Sequence, residues 1–345
     1  MVPLWTANDL IEGCDGKLFD TNCEPSPITG IQIDSRACAP GDLFVALPGT
    51  AKDGHDFIKD AETANASACL VSRPSSETKI AQVVVDDSLR GLNRLAKKAR
   101  ARFRGKMVGI TGSVGKTGCK EMLFHLLSKF GLTHANKDSF NNHIGVPLSL
   151  AALPLNHDFA VQEMGMNAPG EIANLTRIVE PSIAFITRIA NTHSGFFETL
   201  DGIALAKSEI FQGLKSGGIA VLNKDDKFYE KLRNLALDSG ASKVINFGRD
   251  KTSHLRLVET NKSCQGMNIQ ADIFGKRVSF ELSMHGDHWA INSIGVLACL
   301  EALGLSSEKA TKFLNDCKTP IGRGERYFGK YYGQNITVIN DSYNA

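Results

Sequence analysis

The sequence predicts an α/β protein: a small N-terminal α/β unit, then a larger central domain built on a mostly parallel, doubly wound sheet with a phosphate-binding loop. Three observations predict it. Strand-like apolar runs alternate with helical patterns from Lys106 to about Pro320. A glycine-rich turn, Gly112-Ser113-Val114-Gly115, joins the buried run Met107 to Thr111 to a helical pattern opening on Lys116 and Thr117. The 345 residues are enough for about two domains, each with a core of its own.

Taken in order, residues 1–86 read as the small unit, with short strand-like runs at Leu43 to Leu47, Ala68 to Ser72 and Gln82 to Val85 between Gly, Pro and Asp turns. Residues 87–105 read as a connecting helix, since Leu89, Leu92, Leu95, Ala99 and Phe103 recur at helical spacing. The central domain, 106–322, reads as strand 107–111, helix 116–130, strands 132–135 and 159–163, helix 169–179, strand 182–188, helix 201–214, and strands 218–222 and 243–247. A β-rich patch from Leu255 to Met284 and helices 288–303 and 307–315 complete it. Residues 323–345 read as a hinge and the first strand of a further domain.

Composition excludes several classes. With 39 basic and 37 acidic residues the net charge is +2, so no large field points to nucleic acid or a membrane surface. No apolar run approaches the ~18 residues of a membrane span, and no basic segment followed by an apolar one marks the start. The eight cysteines form no CxxC pair or Cys/His cluster, and several lie in apolar runs, as reduced core thiols do. A cytoplasmic protein is expected. Nothing resembles a coiled coil, so a monomer is expected too.

The turn after the first central strand carries the chemistry. Ile110 stands where the general P-loop pattern has its first glycine; the segment fits Gly109-x-Thr111-Gly112-x-x-Gly115-Lys116-Thr117 instead. Backbone N–H groups of Thr111, Gly112, Ser113, Val114 and Gly115 and the helix N-terminus would cradle phosphates, with Lys116 reaching the terminal ones and Thr117 holding Mg²⁺. In an open α/β sheet the ligand lies beyond the carboxyl ends of the strands, which singles out Glu163 and His193 as Mg²⁺ or phosphate-site groups. Lys207 interrupts an apolar helical stripe of Ile203, Ile210, Phe211 and Leu214. Either its ammonium snorkels to the surface, or it is a buried amine of lowered pKa able to take up CO₂ as a carbamate.

These residues resemble the Mur ligase family over nearly the whole chain. The phosphate turn is similar to that family's TGTNGKT pattern, with Ser113 and Val114 replacing the usual Thr and Asn, and Gly118 and Cys119 where threonines are common. Asn141-Asn142-His143-Ile144-Gly145-Val146-Pro147-Leu148 resembles its NNxxGVPL segment, and Glu163-Met164-Gly165-Met166-Asn167 through Gly170-Glu171-Ile172 its ExGxNxxGEI segment. Both point to the branch that adds D-alanyl-D-alanine to UDP-N-acetylmuramoyl-tripeptide through an acyl phosphate. Asp34-Ser35-Arg36, Pro40-Gly41-Asp42-Leu43-Phe44 and Asp53-Gly54-His55-Asp56-Phe57 resemble a uridine-nucleotide domain.

The resemblance implies ATP and Mg²⁺ as cofactors. It makes Thr117, Glu163, His193 and carbamylated Lys207 metal ligands, and Lys116, Glu163, His193 and Lys207 catalytic. Asp34, Ser35, Arg36, Asn141 and Asn142 are implied to bind the UDP-substrate. His288 and Asn292 match a GxHxxxN pattern whose asparagine faces adenine; Arg323 matches an arginine near the γ-phosphate, and Asp341 an aspartate on the ribose. The family continues into a third, Rossmann-like domain after the motif begun by Asp341-Ser342-Tyr343-Asn344-Ala345, so the resemblance implies that this domain is largely absent here. A sibling ligase adding the third amino acid, a non-catalytic fragment binding both nucleotides, and a generic P-loop NTPase are the competing readings.

Overall fold

The computed structural model of the chain describes residues 2–20, 23–49, 52–191, 197, 199–263 and 266–343. The N-terminal unit is a sheet of β1 (Lys17–Leu18), β2 (Gly30–Gln32), β3 (Asp42–Val45), β4 (Ala68–Val71) and β5 (Ala81–Val84) in the order β1-β5-β4-β3-β2. Strands β2 to β5 are parallel and β1 is antiparallel to β5. Because β3 and β4 are buried on both faces, they read as continuous apolar runs rather than alternating ones. Helix α1 (Ala7–Cys14) packs Leu10 on one face with Leu43, Val45 and Leu70; α2 (Ile58–Thr63) packs Ile58 and Ala61 on the other with Phe44 and Val71. His55 fastens this unit: its Nδ1 lies 2.6 Å from Asp53 Oδ1 and its Nε2 accepts the Ser72 N–H at 3.0 Å.

Helix α3 (Ser88–Arg102), read as a connection, belongs to two cores at once. Leu92, Leu95 and Ala99 join the N-terminal core, while Ala96 packs with Met107 and Val146 of the central domain. Buried Arg100 donates to Val179 O at 2.6 Å and Glu180 O at 2.7 Å, satisfying carbonyls at the end of a central helix.

The central sheet runs β14-β13-β12-β11-β10-β9-β6-β8-β7. Its parallel part is β6 (Lys106–Thr111), β7 (Thr133–Ala135), β8 (Phe159–Glu163), β9 (Ile183–Ile186), β10 (Ile219–Asn223), β11 (Lys243–Gly248) and β12 (Leu255–Ser263). An antiparallel extension, β13 (Gly266–Ile273) and β14 (Lys276–Leu282), shows one buried and one exposed face, as the alternating burial of β14 records. Side-chain alternation splits the interior into two layers. Val108, Ile110, Phe185 and Val221 pack against α4 (Lys116–Leu127) and a later helix; Met107, Ala184, Ile186 and Leu222 pack against α5 (Gly145–Ala151), α6 (Glu171–Val179), α7 (Leu200–Ser208) and α8 (Tyr229–Asp238). That later helix, α9 (Asp287–Ala302), buries Ile294, Val296, Leu297 and Leu300, and each such side chain contributes about 1.5–3 kcal/mol. A short α10 (Ser307–Ala310) follows.

The expected α/β architecture with a mostly parallel central sheet is the one observed. Three elements differ from expectation. The predicted helices 201–214 and 307–315 are α7 and α10, each followed by a 3₁₀ turn, over Glu209–Gly213 and Thr311–Asp316, and the apolar segment 145–151, unassigned from sequence, is a fully buried helix. From Arg323 onward the chain forms an antiparallel hairpin, β15 (Glu325–Tyr331) with β16 (Gln334–Asn340), whose turn has positive φ at Tyr332 and Gly333 as a type I′ turn requires. Seven of the cysteines are described and all seven are free thiols; Cys264 lies outside the described residues. Among the described residues no helix is long and apolar enough to cross a membrane.

Candidate active site

Strand β6 sits where the strand order reverses, between β8 and β9, so the turn at its carboxyl end faces the crevice that open α/β sheets use for ligands. Gly112 and Gly115 make the turn possible. Gly112 has φ 149 and a Cβ there would lie 2.0 Å from Thr187 Oγ1; Gly115 has φ 84 and a Cβ would lie 3.0 Å from Asn292 Nδ2. Two contacts staple the turn to the end of β9: Thr187 Oγ1 donates to Val114 O at 2.6 Å, and Ser113 N donates to Arg188 O at 2.7 Å. Helix α4 begins at Lys116 with no side-chain cap, leaving first-turn N–H groups for an anion.

Lys116 folds back over the turn, donating to Gly112 O at 2.8 Å and Ser113 O at 3.3 Å. Burial of this ammonium lowers its pKa, opposed by the carboxylate of Glu163 and reinforced by Arg323. The register pairs Ile110 with Glu163, which places Glu163 at the end of β8 beside the turn, 1 % exposed. Its Oε1 accepts from Asn141 Nδ2 at 2.7 Å, and its buried Oε2 has no partner among the described residues. Lys207 is fully buried on α7, and its Nζ also has no partner among the described residues. Burial first, and the charge of Lys116 second, push the Lys207 pKa down to about 7. Thr111 Oγ1 and Ser113 Oγ are likewise buried and unpartnered. Four buried polar atoms without partners on one loop and its neighbours describe a place made for something else.

The donor set fits a hard divalent cation in part. A buried carboxylate oxygen and the hydroxyl of Thr117 suit Mg²⁺, whereas an ammonium at Lys207 would repel it. As a carbamate, Lys207 would add an anionic oxygen in place of a positive charge. Among the described residues no group of three or more His, Cys, Asp and Glu side chains forms a ready-made metal site. His193, expected as a further ligand, lies outside the described residues.

A cavity of about 390 Å³ opens beside the turn, lined by Val114, Gly115, Thr187, Asn223, His288 and Asn292. His288 and Asn292 thus share one helix face at the phosphate turn, as their spacing predicts. Partial burial lowers the His288 pKa, and the nearby carboxylates of Asp341 and Asp287 oppose it. Arg323 stacks on the Tyr343 ring at 4.1 Å and, with Thr117, lines a second groove of about 860 Å³. Asn142, Asp34 and Arg36 have local partners. Asn142 Oδ1 accepts from Ile144 N and Gly145 N at 3.1 and 2.9 Å, capping α5. Asp34 caps the 3₁₀ turn Ser35–Ala37 and pairs with the exposed Arg36 at 2.7 Å, which holds the Asp34 pKa down to about 2. Ser35 is buried.

Sequence reasoning missed Thr187, Asn136 and Lys120. Asn136 Oδ1 accepts the Glu163 N–H at 2.9 Å, and Lys120 is a fully buried lysine one helical turn beyond Lys116. The i, i+4 repeat of lysine on a helix that is otherwise apolar inward was the one available signal for Lys120.

Residues 110–300 match the Mur ligase middle domain, and residues 27–103 match the Mur ligase family catalytic domain. The UDP-N-acetylmuramoyl-tripeptide–D-alanyl-D-alanine ligase of Synechocystis is 36% identical over 345 residues, 99% of this chain and 72% of that relative. A crystal structure of MurF from Acinetobacter baumannii superposes with a TM-score of 0.85 at 33% identity, covering 100% of this chain and 74% of that one. MurF ligase from Thermotoga maritima in complex with ADP superposes with a TM-score of 0.73 at 27% identity, covering 92% of this chain and 71% of that one.

Proposed function

This chain belongs to the Mur ligase family, and from that premise we propose that it is an ATP-dependent peptide ligase joining D-alanyl-D-alanine to UDP-N-acetylmuramoyl-tripeptide in peptidoglycan precursor synthesis. The observation that carries the reaction class is the set of buried, unpartnered groups at the phosphate turn, Glu163 Oε2 and Lys207 Nζ beside the half-buried Lys116. A carboxylate cannot be aminated directly, because its leaving group would be oxide. The tripeptide's terminal carboxylate oxygen therefore attacks the γ-phosphorus of ATP, the bond to the β,γ-bridging oxygen breaks, and ADP leaves an acyl phosphate. The neutral amine of the dipeptide attacks the acyl carbon, the tetrahedral adduct collapses, and phosphate departs with the acyl C–O bonding pair. The amine loses one proton, which the departing phosphate takes up.

In this reading Lys116 swings from the carbonyls of Gly112 and Ser113 onto the transferring phosphoryl, where its charge is most needed in the transition state. The uncapped first turn of α4 and the N–H groups of the turn hold the phosphates. Thr117, Glu163, His193 and Lys207 as a carbamate would hold Mg²⁺, which supplies positive charge against the phosphate oxygens. Asn292 and His288 line the adenine end of the cavity, Asp341 serves the ribose and Arg323 the γ-phosphate. Asp34, Ser35 and Arg36 with the Asn141–Asn142 loop serve the UDP-linked substrate. Action as a monomer in the cytoplasm, where ATP and the UDP-linked precursor meet, completes the reading.

Thermal unfolding tests it. UDP-N-acetylmuramoyl-tripeptide should raise the midpoint more than UDP does, and ATP·Mg²⁺ should raise it independently; a ligand at ~100 times its Kd adds about 2.7 kcal/mol. A shift with ATP·Mg²⁺ and none with either uridine ligand would remove the substrate assignment and leave a P-loop nucleotide-binding protein.

A further inference from the structure

Lys120 has no role in the proposed reaction, and its surroundings are unusual for a helix lysine. It is 0% exposed, and its ammonium donates to Asn136 O at 2.8 Å and Asp138 O at 2.6 Å while pairing with Glu121 Oε1 at 2.8 Å. Three protons meet three acceptors. Taking an ammonium out of water is costly even when it is fully satisfied, so the groups it holds are the place to look for its use.

Those groups lead to Glu163. Asp138 has φ 47, a left-handed conformation that a residue with a side chain keeps only where its surroundings enforce it, and the ammonium on its carbonyl is such a restraint. Asn136, 2% exposed, accepts the Glu163 N–H on its Oδ1 at 2.9 Å. At the far end of the same loop Asn141 donates from Nδ2 to Glu163 Oε1 at 2.7 Å and accepts the Gly165 N–H on its carbonyl at 2.8 Å. The loop from Asn136 to Asn141 thus grips Glu163 by backbone and side chain together, occupying Oε1 and leaving Oε2 buried and, among the described residues, without a partner.

We propose that Lys120 is a positioning residue: by clamping the carbonyls of Asn136 and Asp138 it fixes the loop whose Asn141 aims Glu163 Oε2 at a divalent cation. The inference rests on the reading of Glu163 as a cation ligand. Outer partners of metal ligands act in this way, through orientation rather than contact, and their loss weakens metal binding about 10–100-fold.

The test follows Mn²⁺ binding by electron paramagnetic resonance in the presence of saturating ADP, for the unmodified chain, Lys120→Gln, Asn141→Ala and the double variant. Lys120→Gln should weaken Mn²⁺ binding about tenfold or more. ADP affinity without metal should stay within about twofold, and the double variant should be no weaker than Asn141→Ala alone, since the lysine acts through the asparagine. Mn²⁺ binding by Lys120→Gln within about twofold of the unmodified chain overturns the proposal, as do losses that multiply in the double variant. If the unmodified chain takes up no Mn²⁺ with ADP, the reading of Glu163 falls and this inference with it; the variant outcomes sink Lys120 alone. Hydrogen exchange on the unmodified chain covers the case in which Lys120→Gln does not fold. Mn²⁺ added with ADP should slow exchange across residues 136–141 as well as the phosphate turn, and protection of the turn alone overturns the proposal.

Discussion

Replacing Lys207 by methionine removes a buried ammonium while keeping most of its volume, and the structure sets the size of the effect. Burial holds the folded pKa at about 7 against the ordinary 10.5, which is about 5 kcal/mol of penalty on the charged form. The sign follows from proton binding. Between pH 7 and 10.5 the unfolded chain holds a proton that the folded chain has released, so stability rises with pH across that window and is lost as pH falls toward 7. Lys207→Met should therefore be more stable than the unmodified chain near pH 7 in CO₂-free buffer, by on the order of 5 kcal/mol, with the difference closing toward pH 10.5. The same shift makes about three quarters of Lys207 neutral at pH 7.5, against about one part in a thousand for an ordinary lysine, and only the neutral amine captures CO₂. The assay is carbon-13 NMR of protein equilibrated with labelled bicarbonate, beside urea unfolding with and without bicarbonate. One carbamate resonance per chain, absent from Lys207→Met, and a bicarbonate-dependent gain in stability confined to the unmodified chain are expected. A chain that shows no such resonance at pH 8, or one that persists in Lys207→Met, refutes the reasoning.

Lys116→Ala should lower turnover by about 10²–10³-fold or more, read as ADP release dependent on all three substrates; turnover within a few-fold of the unmodified rate would remove Lys116 from the phosphoryl-transfer step. Gly118→Thr, which restores the residue type common in the resembling pattern, should destabilise the chain by about 1–3 kcal/mol in urea unfolding. The reason is Trp289, whose ring atoms would lie 2.5 and 2.6 Å from the new Cβ, and Gly118→Thr paired with Trp289→Leu should recover part of the loss. Burial first pushes the His134 pKa down to about 4 from 6.5, so the folded chain refuses a proton that the unfolded chain accepts. Stability should be lost as pH falls from 6.5 to 4, by about 3 kcal/mol, and His134→Gln should flatten that window in unfolding midpoints at pH 7, 5 and 4.

Among the known-family expectations, the phosphate turn was the most legible part of the site, because strand, glycines, Lys116 and Thr117 lie within one short segment whose turn chemistry is local. Glu163 was visible as a strand end, and Asn292 and His288 as one face of a helix. Their use was not visible. What the Asn141 side chain touches depends on where the loop from Asn136 lands, and in the structure that side chain meets Glu163.

By itself the sequence determined periodicity, turn chemistry and class: the alternation of strands and helices, the cradle at Gly112 to Thr117, and the motifs shared with Mur ligases. Tertiary structure alone decided which distant groups meet. It brought the ammonium groups of Lys116 and Lys207 within range of each other, split α3 between two cores, and buried Lys120 beneath the loop that holds Glu163. The physical reason is that spacing along the chain fixes which face a residue occupies, whereas strand order and loop path fix what that face touches. Desolvation, which sets the character of Lys207, exists only once those neighbours have closed around it.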